Sequence, residues 1–295
     1  MRLSTVLLPI YEWEEGRTIW ARAEELGLHA AYTYDHLTWQ SFRDRPWFDS
    51  MTTLAAAATA TERLRIGTLV TSPNFRHPVT LAKELLSLDH LAQGRLSVGI
   101  GSGGTGFDAT ALGQDPWSPG ERADRFEEWI RLLDQVLTQS STTARGRYYS
   151  AIEARTVPAC LQQPRVPFVV AATGRRGLRL AAQFGQGWVT YGDPDGPGRA
   201  DPSGAVDVVR AQLERLAAAC SDTGRAYDSI DKILLQGLTS ERPLESVDAF
   251  VEWAGRYQAL GLDELVLHWP VPDSVFACDA GVFERIVTEG PAQLH

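Results

Sequence analysis

The stretch Leu64-Arg65-Ile66-Gly67-Thr68-Leu69-Val70-Thr71-Ser72-Pro73-Asn74-Phe75-Arg76-His77-Pro78, continued to Gly104, decides the fold. Leu64 to Val70 is a short apolar, β-branched run that stops at Ser72-Pro73, as a buried parallel strand does, because proline cannot donate to a ladder. Pro78 suits a first helical turn, and Val79, Leu81, Ala82, Leu85, Leu86, Leu88 and Leu91 recur close to the roughly 3.6-residue period of a helix. That helix ends at Gln93-Gly94, where glycine can take the left-handed cap, and Arg95 to Gly101 resumes as a second strand. Two β/α units thus stand back to back. The second strand runs into Ser102-Gly103-Gly104-Thr105-Gly106, at a strand's C-terminal end, where parallel α/β folds bind ligands.

The alternation extends in both directions. Leu3 to Leu8 reads as the first strand, Gly16 to Leu26 as a helix closed by Gly27, and Ala30 to Tyr34 as the second strand, ending at Asp35-His36-Leu37-Thr38-Trp39. A helix over Phe48 to Thr61 carries the alanine run Ala55 to Ala58. After an irregular stretch beyond Gly106 comes an amphipathic helix, Glu121 to Leu137, with Phe126, Trp129, Ile130, Leu133 and Val136 on one face. Ser140 to Pro167 is too long for a barrel loop, and Gly146-Arg147-Tyr148-Tyr149 looks like part of a small hairpin inside it. Phe168 to Ala172 is the fifth strand, followed by Thr173 to Gly177 and a helix from Leu178 to Phe184; Gly187 to Tyr191 is the sixth. The loop Gly192 to Gly204, full of Gly, Pro and Asp, is expected to be exposed and mobile. Helix Ala205 to Cys220, strand Lys232 to Gln236, helix Leu244 to Leu260, strand Glu264 to His268 and a last helix near Ala280 to Val287 complete eight alternations. Eight units favour a closed (β/α)8 TIM barrel with an insertion after the fourth β/α unit, and 295 residues suit one such domain over the whole chain.

The formal charge of −9 and the lack of a dense Lys/Arg tract argue against nucleic acid or an anionic membrane surface as partner, and leave a small molecule as the expectation. Cys160, Cys220 and Cys278 are far apart, odd in number and without metal-ligand spacing, so neither a disulfide framework nor a zinc site is expected, and a reducing cytoplasm fits. The N-terminal apolar run is too short for a signal core and meets Glu12, Glu14 and Glu15, and no segment approaches membrane-spanning length.

Several residues fall where chemistry belongs. His36, just past a strand, is placed to touch a ligand; equally, it could cap its own loop. Thr173-Gly174-Arg175-Arg176-Gly177 precedes a helix, so backbone N–H groups and one arginine fork would face an anion, unless the loop is only a solvated turn. The run Gly101 to Gly106 resembles a phosphate loop but lacks the lysine of a P-loop and the downstream acid of a dinucleotide fingerprint. Arg76 reads as an exposed base at a helix start, with His77 undecided. Of Trp39, Trp47, Trp117, His268 and Trp269, only Trp39, three residues after His36, is preferred as a wall of a substrate pocket.

The combination of Arg65-Ile66-Gly67-Thr68, Arg76-His77-Pro78, the Leu85 to Leu91 helix, Gly94-Arg95 and Val98-Gly99-Ile100-Gly101 resembles the luciferase-like monooxygenase superfamily, TIM barrels that use flavin or deazaflavin. The resemblance implies that Asp35-His36 matches the Asp-His pair set against the reactive ring in the branch that uses the deazaflavin coenzyme F420. It carries Thr68, Leu69 and Val70 to the cofactor, with a non-prolyl cis peptide at Leu69-Val70 under the central ring, although by residue type these are as well read as ordinary core. Ser102 and Gly103 would line the cofactor edge, Thr173 to Gly177 would take its tail, and His36 would act at the ring, with Trp39 the catalytic candidate beside it by position alone. Where the F420-dependent glucose-6-phosphate dehydrogenases have an acid, this chain has Gly104, which speaks against that reaction. The resemblance thus implies an F420-dependent oxidoreductase, with a reduced-FMN monooxygenase or a non-catalytic flavin-binding barrel as alternatives, and a homodimer formed through helices beside the second and third strands.

Overall fold

A computed structural model describes residues 1–104, 106–192, 202–238 and 241–294. In chain order the elements are β1 (Arg2–Val6), α1 (Trp13–Glu25), β2 (Ala30–Thr33), α2 (Ser50–Ala60), β3 (Arg65–Thr71), α3 (Pro78–Leu91), β4 (Leu96–Gly101), α4 (Phe107–Ala111) and α5 (Pro119–Thr138). They continue with β5 (Ser141–Arg145), β6 (Ser150–Arg155), β7 (Phe168–Ala171), α6 (Arg175–Phe184), β8 (Gly187–Thr190), α7 (Pro202–Thr223), β9 (Asp231–Leu235), α8 (Val247–Gln258), β10 (Glu264–His268) and α9 (Ala280–Glu289). Eight strands close a barrel in the order β1-β10-β9-β8-β7-β4-β3-β2, all neighbours parallel. The remaining two, β5 and β6, form an antiparallel hairpin between α5 and β7 with Gly146 to Tyr149 at its turn, which is the expected insertion after the fourth unit.

The strands are apolar on both faces because each feeds two cores. Ala30 and Tyr32 of β2 pack inside the barrel with Val6, Leu69, Val169, Val189, Ile233 and Val266, whereas Ala31 packs outward under the helices. Gly67 allows the close approach of β3 to β4: a Cβ there would run into the Ser97 backbone carbonyl. Helix α5 shows why local signals sufficed. Ser118 caps it by accepting from the Glu121 N–H at 3.2 Å, Pro119 opens it, and Phe126, Trp129, Ile130, Leu133 and Val136 are buried, each contributing about 1.5–3 kcal/mol of apolar burial. At the N-terminal end of the barrel, Tyr32 Oη donates to Glu264 Oε1 at 3.1 Å and Arg2 bridges Glu264 and Asp231, so polar side chains plug the barrel interior at that end.

Three expectations change. The irregular stretch after Gly106 contains α4, too short for any periodic signal. Helix α6 starts at Arg175, not Leu178, so Arg175, Arg176 and Gly177 are its first turn and not a loop before it. Of the expected loop Gly192 to Gly204, residues 193–201 lie outside the described residues, and α7 already begins at Pro202.

Candidate active site

Beyond β2 the chain leaves the barrel at its C-terminal mouth, and successive residues turn opposite ways. Asp35, 1% exposed, turns into the wall. It accepts from Ser50 Oγ and Thr71 Oγ1, each at 2.5 Å, and from Arg76 Nε at 3.1 Å and Nη2 at 2.8 Å. Arg76 is therefore a half-buried structural cation, held also by Asp49, and not an exposed base; His77 caps α3 through Nδ1, which accepts from the Val79 N–H. Asp35 does not line the cavity to which the resemblance carried it.

His36 does line it. The cavity, about 690 Å³, runs across the ends of β2, β3, β4, β7 and β8. His36 Nδ1 is 2.9 Å from Asp108 Oδ2 on α4, and the same carboxylate accepts from Asn74 Nδ2 at 3.0 Å and from the Leu37 N–H at 2.8 Å. Asp108 is 2% exposed; burial pushes its pKa up, and the hydrogen bonds and charge supplied by His36, Asn74 and the Leu37 N–H outweigh that and hold it below the usual carboxylate range. A carboxylate can only accept, so His36 donates from Nδ1, and Nε2 is left without a partner among the described residues.

The cavity floor is β3 and β4. The Leu69-Val70 peptide bond is cis. Val70, Gly101, Ser102 and Gly103 line the cavity, whereas Thr68 donates to the Gly99 carbonyl within the sheet and Leu69 packs in the barrel interior. Gly103 has φ 77° and a Cβ there would collide with the Asn74 side chain, so glycine keeps Asn74 against Asp108.

Thr173, Gly174, Arg175, Arg176 and Gly177 line the far end. Gly174 is the α6 N-cap and offers no side-chain acceptor, so the first-turn N–H groups have no intrahelical partner and meet the cavity. The two arginines part company: Arg176 is bound to Asp124 at 2.6 Å and Glu127 at 2.9 Å on α5, while Arg175 makes no hydrogen bond or ion pair with a described residue.

Trp39 forms the wall beside His36. It stacks on Trp47 and Phe276, with ring centroids 6.5 and 5.5 Å apart, and Trp47 Nε1 donates to the His36 carbonyl at 2.8 Å. Behind it, Tyr34 Oη lies 2.7 Å from His268 Nε2, and His268 stacks on Phe276 at 3.9 Å. Burial drives the His268 pKa down to about 3 against the opposing pull of a hydrogen bond to the Gln236 backbone, so the ring is neutral. Trp269 packs edge-on against Phe283 and Trp117 lies under Arg125, neither in the cavity.

The sequence reading thus collected His36, Trp39, Val70, Ser102, Gly103 and the Thr173 to Gly177 segment, and missed Asp108, Asn74 and Phe126 as cavity residues. Asp108 had one available signal, its place just after the glycine run.

Residues 5–235 match the family model described as luciferase-like monooxygenase, and the chain belongs to this family. It is 32% identical over 271 residues to an F420-dependent glucose-6-phosphate dehydrogenase of Beutenbergia cavernae, covering 85% of this chain and 77% of that protein. It is 29% identical over 208 residues to a 4-hydroxyprotoasukamycin monooxygenase of Streptomyces nodosus subsp. asukaensis, covering 70% and 54%. Among solved structures, the coenzyme F420-dependent tetrahydromethanopterin reductase of Methanopyrus kandleri shares the fold with a TM-score of 0.76 at 16% identity, over 99% of this chain and 98% of that one.

Proposed function

We propose that this chain is an oxidoreductase that uses coenzyme F420 for hydride transfer to or from a small organic substrate. The observation that carries the reading is one cavity with His36, fixed by a buried carboxylate, at one end and the uncapped first turn of α6 with Arg175 at the other. That donor set suits an elongated ligand with a reactive ring and an anionic tail, and the F420-dependent relatives support the same choice. When bound, F420 supplies the hydride chemistry of its deazaflavin ring.

The chain's own residues do the rest. Val70, Gly101, Ser102 and Gly103 would hold the ring, and Thr173, Gly174, Arg176 and Gly177 would shape the tail end, where Arg175 and the N–H groups would receive the anion. Trp39, backed by Trp47 and Phe276, keeps water from the reacting face. His36 holds or takes up the substrate proton at Nε2, and Asp108 fixes the tautomer and faces the charge that arises on the ring. Asp35, Thr68 and Leu69 act from behind as the frame. The resemblance puts Gly104 where the glucose-6-phosphate enzymes carry an acid, so the proposal does not extend to that substrate.

The test is a pair of fluorescence-quenching titrations, one with F420 and one with FMN. Tighter binding of F420 supports the reading; equal or tighter binding of FMN replaces it with a reduced-FMN monooxygenase, which the 4-hydroxyprotoasukamycin relative makes the second reading. Binding without turnover of any substrate would leave a flavin-binding barrel. A homodimer through helices beside β2 and β3, in a reducing cytoplasm, completes the proposal: Ala55 and Ala56 are half-exposed on α2, and the three cysteines are free thiols. No helix among the described residues is long and apolar enough to cross a membrane.

A further inference from the structure

Gln40 follows Trp39 in the wall of the active-site cavity, and its backbone is left-handed, at φ 33°. A residue with a Cβ is strained there, and glutamine lacks the short polar arm by which asparagine and aspartate ease the strain. Three other described residues that are not glycine have positive φ, and none of them lines this cavity. Gln93 leads into Gly94 after α3, Glu153 lies opposite the break in register of the β5–β6 hairpin, and Asp273 sits in the loop after β10. At Gln40 the conformation is imposed from both sides. Trp39 stacks on Trp47 and Phe276, Phe42 is 1% exposed and also stacks on Phe276, and Arg45 Nη2 donates to the Asp273 carbonyl at 2.7 Å, tying this loop to the one after β10. That frame would suit glycine. Glutamine stands there instead, exposed, its backbone carbonyl accepting from the Arg43 N–H and its side chain making no hydrogen bond with a described residue.

We propose that the Gln40 side-chain amide selects the substrate by hydrogen-bonding a neutral carbonyl or hydroxyl group away from the carbon that exchanges hydride. The inference rests on the reading of this cavity as an oxidoreductase site. Strain at a ligand wall persists where the side chain so displayed has a task, and an amide offers two N–H donors and one accepting oxygen without charge. The rest of the rim is apolar: Trp39 lines it, with Phe107 37% and Tyr191 48% exposed. Among the described lining residues the guanidinium groups are Arg175 and Arg176, both on α6, and the carboxylate is Asp108, already held by His36 and Asn74. An anionic group beside His36 therefore meets no cationic side chain among those residues other than His36 itself. The substrate class this wall fits is an uncharged, mainly apolar carbonyl compound or alcohol with a second neutral polar group, its body against Trp39 and its second group on Gln40.

The experiment compares cyclohexanone with the same ring carrying a hydroxyl, a second carbonyl or a carboxylate, placed at either ring position beyond the α-carbon. Each is titrated by NMR against protein holding whichever of F420 and FMN it binds. A hydroxyl or second carbonyl is expected to tighten binding about three- to tenfold over cyclohexanone, and the carboxylate not at all. Gln40→Ala and Gln40→Gly should bring those derivatives to within about twofold of cyclohexanone while leaving the affinities for cyclohexanone and for the cofactor unchanged. Gln40→Glu, an acceptor when ionised, should keep the preference for the hydroxyl and lose that for the second carbonyl. Gln40→Gly should also melt no lower than wild type, because glycine takes the left-handed backbone freely. The assignment is overturned if no neutral derivative binds better than cyclohexanone, if the carboxylate binds best, or if the preference survives Gln40→Ala. It is overturned equally if the variants weaken all the rings alike, or if Gln40→Gly melts more than about 3 °C below wild type, since the side chain would then be packing and not recognition. Tighter binding of FMN than of F420 overturns the F420 reading alone, because the Gln40 comparison then runs with FMN in place.

Discussion

Changing Asp108 to Asn isolates the group on which the proposed chemistry depends. Three donors converge on the carboxylate, His36 Nδ1 at 2.9 Å, Leu37 N–H at 2.8 Å and Asn74 Nδ2 at 3.0 Å. An amide of the same shape keeps one accepting oxygen but removes the charge and turns an N–H₂ toward at least one of those donors. A hydrogen bond to a charged group contributes about 1.5–3 kcal/mol, which as a loss in the transition state is roughly 10- to 150-fold in turnover. The tail end of the cavity is untouched, so cofactor affinity should stay within about twofold. Steady-state kinetics at saturating F420, with a separate fluorescence titration, measure the two quantities. His36→Ala and the H36A/D108N double variant complete a cycle: if Asp108 works through His36, the double variant is no slower than H36A alone. A D108N enzyme turning over within about twofold of wild type, or losses that multiply in the double variant, would refute the coupling.

The two arginines of α6 should separate. Arg175→Ala is expected to weaken cofactor binding by roughly tenfold at low salt with saturated turnover nearly intact, and Arg176→Ala, whose side chain is held by α5, by much less; the reverse order in titrations would mislocate the tail. Arg76→Ala strands the buried Asp35 charge and should lower the free energy of urea unfolding by about 3–5 kcal/mol, whereas a loss below about 1 kcal/mol would make the pair a surface ornament. His268 predicts a pH slope. Unfolded, it takes up a proton below about 6.5, but folded not until about 3, so the unfolded state binds more protons across that interval and stability is lost as the pH is lowered through it. Between pH 6.5 and 5 the loss is roughly 2 kcal/mol, and urea midpoints of His268→Gln should show a correspondingly flatter slope. Association is expected in sedimentation at micromolar concentration; a monomer alone would remove the dimer proposal.

The barrel was legible because each β/α unit announces itself within its own few residues. Pro78 opens α3, the left-handed Gly27, Gly94 and Gly261 follow the ends of α1, α3 and α8, and the two-sided apolar strands exclude an open, half-solvated sheet. The site was legible only where family likeness or position past a strand marked single residues, as at His36 and Gly174. Pairings between distant parts of the chain leave no such mark. Asp108 lies 72 positions from His36 on a helix of five residues, too short for periodicity. Arg175 and Arg176 look interchangeable as letters, yet about 100° of helical rotation sends one toward solvent and the other onto Asp124 and Glu127. That acidic pair, three residues apart on α5, was visible in the sequence but had no address until α5 and α6 were packed together.

The opposite orientations of Asp35 and His36 separate two kinds of physical demand that adjacent letters would seem to merge. Asp35 belongs to the framework that ties the mouth of β2 to α2 and α3, and His36 projects from that framework into the cavity. Exchange of the histidine alters what the barrel can do to a ligand without disturbing the anchor, and loss of the aspartate loosens the mouth whatever stands beside it.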